Sequence, residues 1–124
     1  MTLLSGLHHV QVAAPPGCED AARRFFGDLL GLEELPKPES LAGRGGVWFR
    51  VGAQELHVGV EADFSPARKA HPAFAVADVQ ALRARLEMAG VATEDAPAIP
   101  GLSRFYVADP WGNRVELTAQ PSAR

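Results

Sequence analysis

Two histidines and two glutamates recur about half a chain apart. His9-Val10-Gln11-Val12-Ala13 returns as His71-Pro72-Ala73-Phe74-Ala75, and Gln54-Glu55-Leu56-His57 returns as Val115-Glu116-Leu117-Thr118. The separations are 62 residues for the histidines and 61 for the glutamates, so the 124-residue chain reads as two copies of one unit. The four residues could converge on one metal ion. Two neutral imidazoles and a carboxylate drawn from such a group would suit iron, zinc, nickel or manganese and leave positions open for water or substrate. A metal held this way would act as a Lewis acid and template, stabilising charge that develops on a bound substrate. His57 follows Glu55 by two residues, and its near-neutral pKa makes it a proton-transfer candidate beside the Glu55 carboxylate.

The elements that must carry these residues repeat in the same order. After a first strand, Pro15-Pro16-Gly17 breaks the pattern. Glu19 to Leu30 then reads as an amphipathic helix with Ala22, Phe25, Phe26 and Leu29 on one face and Gly31 as its stop. In the second copy Asp78 is the expected N-cap of a helix with Val79, Leu82, Leu86 and Ala89 on one face, ended by Gly90. A Pro-rich connection and a strand pair follow each helix: 47–51 with 55–60, and 104–107 with 114–118. Asp109-Pro110-Trp111-Gly112-Asn113 predicts a hairpin turn between the last two.

Strand alternation gives the facing of each side chain. Val10 and Val12, or Pro72, Phe74 and Val76, form one apolar stripe and leave His9 or His71 on the other face. Leu56, Val58 and Val60, or Val115 and Leu117, likewise leave Glu55 and His57, or Arg114, Glu116 and Thr118, on the polar face. Trp48, Arg50, Arg104 and Tyr106 share that face, because Val47, Phe49, Val51, Phe105 and Val107 are their apolar alternates.

Composition admits this reading and excludes others. Hydrophobic residues make up 47% and charged residues 22%, and the net charge of -3 offers no general attraction to nucleic acid or anionic membrane. No stretch approaches the length of a membrane span and the N-terminus lacks a signal pattern, so the expected compartment is the cytoplasm. Cys18 is the sole cysteine, which excludes an internal disulfide and a cysteine-based zinc site. No nucleophile elbow, phosphate-binding loop or dinucleotide fingerprint is present, and Gly43-Arg44-Gly45-Gly46 reads as a flexible turn.

From Leu7-His8-His9-Val10 to Asp109-Pro110-Trp111-Gly112-Asn113-Arg114-Val115-Glu116-Leu117, the chain resembles the vicinal oxygen chelate superfamily. That superfamily includes glyoxalase I, extradiol dioxygenases, fosfomycin-resistance enzymes and bleomycin-resistance proteins. The resemblance implies an α+β fold of two βαβββ modules whose sheets form a cup-shaped half-barrel. On this reading 1–124 is a single domain with modules at about 5–60 and 71–120 and a connector at 61–70. It also implies that His9, His71 and Glu116 are the metal ligands, with Glu55 matching the fourth ligand of the glyoxalase branch. Homodimers are usual in the family, with modules either closed within one chain or exchanged between two.

Each functional reading has a plainer competitor. An isolated histidine is most often structural, and it is the matched set that favours ligands. Glu55 could be a ligand, a base or a solvated strand residue, and His57 a catalyst or a pocket wall. Trp48 and Tyr106 could line a substrate pocket or simply suit a strand. Arg50 and Arg104 could bind a substrate anion or pair with Glu55 and Glu116. Arg68-Lys69 could bind an anionic substrate group but reads more readily as a solvated pair, and His8 as a structural residue on the helix side. The expected function is therefore a metal-dependent lyase, isomerase or dioxygenase. The alternative is a metal-free binding protein of the bleomycin-resistance type. Fosfomycin-type cation binding and glutathione recognition lack a recognisable signature.

Overall fold

The computed structural model describes residues 2–120. They fall into two compact units, Met1–Ser65 and Pro66–Arg124, each built on a four-stranded mixed sheet. The first holds β1 (His9–Ala14), helix α1 (Glu19–Ala22), β2 (Glu33–Leu35), β3 (Val47–Val51) and β4 (Gln54–Val60), in sheet order β1-β4-β3-β2. The second holds β5 (Ala73–Val76), helix α2 (Val79–Met88), β6 (Thr93–Asp95), β7 (Arg104–Ala108) and β8 (Arg114–Ala119), in order β5-β8-β7-β6. In both, the first strand pairs parallel with the last and the remaining pairs are antiparallel. The α+β duplication is thus a duplication of topology.

The helices obey the expected stop signals, but the first has an unexpected winding. Glu19–Ala22 is α-helical and Arg23–Leu29 continues as a wider π-helix, in which the Leu30 amide bonds the Phe25 carbonyl at 3.0 Å. Phe25 and Phe26, consecutive within it, are both buried, with ring centroids 4.9 Å apart. Helix α2 is regular. The Asp78 carboxylate accepts from the Ala81 amide at 3.0 Å, and the helix ends in a Schellman motif, with Gly90 at φ +86. There the Gly90 amide bonds the Glu87 carbonyl and the Val91 amide the Leu86 carbonyl.

The apolar alternates are buried on the long strands, although on β4, β7 and β8 the polar-face residues His57, Tyr106 and Glu116 are buried as well. Val47, Phe49, Leu56 and Val58 are buried in the first unit, as are Phe105, Val107, Val115 and Leu117 in the second. Strands β2 and β6 were not legible as separate strands, because each is three residues long, largely charged and paired on one edge only. The hairpin at 109–113 is present and tightly bonded. Asp109 Oδ1 accepts from the Trp111 and Asn113 amides at 3.1 and 2.8 Å, and Oδ2 accepts from Asn113 Nδ2 at 2.8 Å. Among the described residues no helix is long and apolar enough to cross a membrane.

Candidate functional site

In the second unit, β5 and β8 run parallel with Ala73 opposite Glu116, so His71 stands two residues before the ladder partner of Glu116. The offset keeps His71 on the Glu116 face, and its Nε2 lies 3.0 Å from Glu116 Oε1. The other ring nitrogen, Nδ1, is 2.8 Å from the Lys69 carbonyl. A carbonyl only accepts, so Nδ1 carries the proton. Nε2 then presents either a second proton or a lone pair to a carboxylate, and in the latter case only a cation between the two acceptors makes the contact favourable. This is the arrangement of a metal-ligating histidine, whose second nitrogen is fixed by a backbone carbonyl. The donor chemistry therefore fits a divalent metal.

Glu116 has further partners. Thr118 Oγ1 donates to its Oε2 at 2.5 Å, and Arg104 Nη1 lies 3.2 Å from its Oε1. Burial opposes ionisation of Glu116, but the bonds from Thr118, His71 and Arg104 outweigh it and hold the carboxyl below its ordinary pKa. Tyr106, directly opposite Glu116 in the β7–β8 ladder, meets the His71 ring edge-on at 5.7 Å. Arg104 also bonds the Pro97 carbonyl at 2.6 Å and the Tyr106 hydroxyl at 3.3 Å.

In the first unit, His9 is opposite Glu55 and Gln11 is opposite His57. His57 therefore bears to His9 the relation that Glu116 bears to His71. The sequence repeat pairs Glu55 with Glu116, whereas the parallel ladder makes His57 the counterpart. The two descriptions differ by two residues, which preserves the face and changes the partner. The contacts agree with the ladder: the His9 and His57 rings stack at 4.2 Å, while the Glu55 carboxylate bonds His57 Nε2 at 2.9 Å. Trp48 covers the opposite side of His57 at 3.9 Å with an interplanar angle of 2°. His57 is consequently 5% exposed despite lying on the polar face. Its hydrogen bond to Glu55 holds that carboxyl below its ordinary pKa.

Two expectations need adjustment. Arg50 does not pair with Glu55; it is half-exposed, with Nε 3.4 Å from Glu33 Oε1 on the neighbouring edge strand. His8 is exposed rather than turned toward the helix, because it precedes β1, and its Nδ1 lies 2.9 Å from His9 Nδ1. Among the described residues no group of three or more His, Cys, Asp or Glu side chains converges on a single metal position. Sequence reasoning gave no role to the Lys69 carbonyl or to Thr118. The bond from Lys69 comes from its backbone, which leaves no trace in residue type, whereas alternation had already put Thr118 on the Glu116 face.

A mixed four-stranded sheet is built twice, carrying a His71–Glu116 pair in one unit and a His9–His57 pair in the other. The chain belongs to the Glyoxalase/Bleomycin resistance protein/Dioxygenase superfamily, whose model matches residues 6–117. It is similar to the crystal structure of a glyoxalase family protein from Bacillus anthracis, with 49% identity, TM-score 0.94, and 98% of this chain and 99% of that one covered. A lactoylglutathione lyase from Agrobacterium tumefaciens matches at 25% identity and TM-score 0.75, covering 95% and 96%. TnmS3, an antibiotic binding protein from Streptomyces sp. CB03234, shares the fold at 22% identity and TM-score 0.76, covering 98% and 100%. No curated protein matches the sequence.

Proposed function

We propose that the chain is a divalent-metal-dependent enzyme of its superfamily, a lyase, isomerase or dioxygenase acting on a small substrate with adjacent oxygens. The observation that carries this reading is the His71–Glu116 contact at 3.0 Å, with the remaining His71 nitrogen held by the Lys69 carbonyl. His9, His71 and Glu116 are the proposed ligands. The ladder position of His57 adds it to that donor set: Glu55 occupies Nε2, leaving Nδ1 for coordination, in the carboxylate–histidine–metal pattern. When bound, the metal would polarise substrate oxygens as a Lewis acid. Glu55 is ionised at neutral pH and more exposed than His57, so it is the group placed to take a substrate proton. Trp48 fixes the His57 ring plane, and Tyr106 walls the Glu116 side.

Metal analysis of protein purified without chelators tests the proposal. The wild type should carry or accept stoichiometric iron, zinc, nickel or manganese, and His71→Ala should lose it. A wild type that cannot be loaded with any of these ions overturns the enzyme reading. One observation favours the second reading, a metal-free binding protein: Arg104 and Thr118 already satisfy the Glu116 carboxylate. We further propose a cytoplasmic homodimer. Leu3, Leu4 and Leu7 are more than two-thirds exposed and offer apolar surface for self-association, which sedimentation across a concentration range would reveal.

A further inference from the structure

The second unit contains a cavity of about 410 Å³ beside Tyr106, the ladder partner of Glu116. Arg68, Glu94, Arg114 and Tyr106 are among its lining residues. The Arg114 guanidinium lies 4.5 Å over the Tyr106 ring, a contact that orients its donors without consuming them. Among the described residues neither Arg114 nor Arg68 enters an ion pair, in contrast to Arg83 and Arg104 of the same unit, which are held by Asp95 and Glu116. Two cations and one carboxylate leave the lining with a single excess positive charge. A monoanion balances it, whereas a dianion would bring its second charge against Glu94. The cavity is larger than a carboxylate group, so an organic body has room beside it.

We propose that this cavity is a carboxylate subsite, in which Arg114 and Arg68 receive the carboxylate of a small organic monoanion. That the bound molecule is also the substrate rests on the function proposed above; the binding itself does not. The assignment moves anion recognition from Arg50 and Arg104, both engaged by carboxylates, to two arginines that are not.

Titration of the isotope-labelled full chain with benzoate, followed by amide chemical shifts, tests the subsite, with metal content measured on the same samples. Saturable shifts centred on Tyr106, Gly112 and Arg114 are expected, and Arg114→Gln should weaken binding by about tenfold or more. Arg68→Gln, at an exposed position where folding is not at stake, should weaken it by about threefold or more. Both variants should retain the metal content of the wild type. The absence of saturable shifts, wild-type affinity in both variants, or tighter binding of inorganic phosphate than of benzoate would overturn the subsite. Benzoate binding in a protein that cannot be loaded with metal would sustain the subsite and overturn only the metal reading; metal loading without benzoate shifts would do the reverse.

Discussion

At the scale of single residues, the two histidines that matter most are each tied at one nitrogen. His71 is tied by a backbone carbonyl and His57 by the Glu55 carboxylate. Outer partners of this kind fix ring orientation and raise ligand basicity, so their loss costs roughly 10–100-fold in metal affinity. Glu55→Gln is accordingly expected to weaken metal binding within that range while leaving the fold intact, and His57→Ala to weaken it further. A competition titration with a chromophoric chelator measures both, and unchanged affinity in His57→Ala would remove His57 from the donor set. Away from the site, Glu19 accepts from the Gly46 amide at 2.7 Å, which holds its carboxyl below the ordinary pKa. A lowered folded pKa stabilises the fold above the unfolded value, and the benefit disappears as pH falls through the folded value. Glu19→Gln should therefore lower stability at neutral pH and flatten its decline in acid, as thermal melts across pH would show.

At the scale of elements, the turn at 109–113 is the connection that sets the register of β7 on β8 and so places Tyr106 opposite Glu116. Asp109 is 4% exposed and accepts from two backbone amides and the Asn113 side chain. Burial pushes its pKa up, and those bonds oppose the shift without cancelling it. Asp109→Ala leaves these donors without their acceptor and is expected to cost about 2–4 kcal/mol, measured by urea unfolding. A loss below about 0.5 kcal/mol would mean that the turn's backbone bonds suffice. The hairpin was legible because Pro, Gly and Asn at fixed positions have local conformational consequences. The π-helical stretch was not, because Phe25 and Phe26 also fit the buried face of an ordinary helix, and their joint burial arises from packing in the first unit. Strands β2 and β6 were obscured for the opposite reason: an edge strand needs little hydrophobic pattern when only one neighbour covers it.

At the scale of the whole molecule, metal binding and stability are linked. A ligand that binds only the folded state stabilises it by about 2.7 kcal/mol at roughly a hundredfold excess over Kd. Adding the cognate ion should raise the Tm of the wild type and not that of His71→Ala, a difference that scanning calorimetry can resolve. An equal rise in both proteins would place the ion elsewhere. The same experiment across protein concentrations reports on self-association, since a dimer makes Tm concentration-dependent.

The sequence by itself determined the duplication, the α+β class, the superfamily and the face occupied by each candidate residue. The duplication and the facing depend on periodicity and turn chemistry, which are local, and the superfamily was legible from the motif resemblance that ends in Asp109–Leu117. The tertiary structure decided the partners. A two-residue shift along a parallel ladder leaves every side chain on its face, so alternation cannot tell whether Glu55 or His57 is the counterpart of Glu116. It likewise decided that Arg50 and Arg104 are engaged by carboxylates while Arg114 lies over Tyr106, because ion pairing depends on which strands become neighbours.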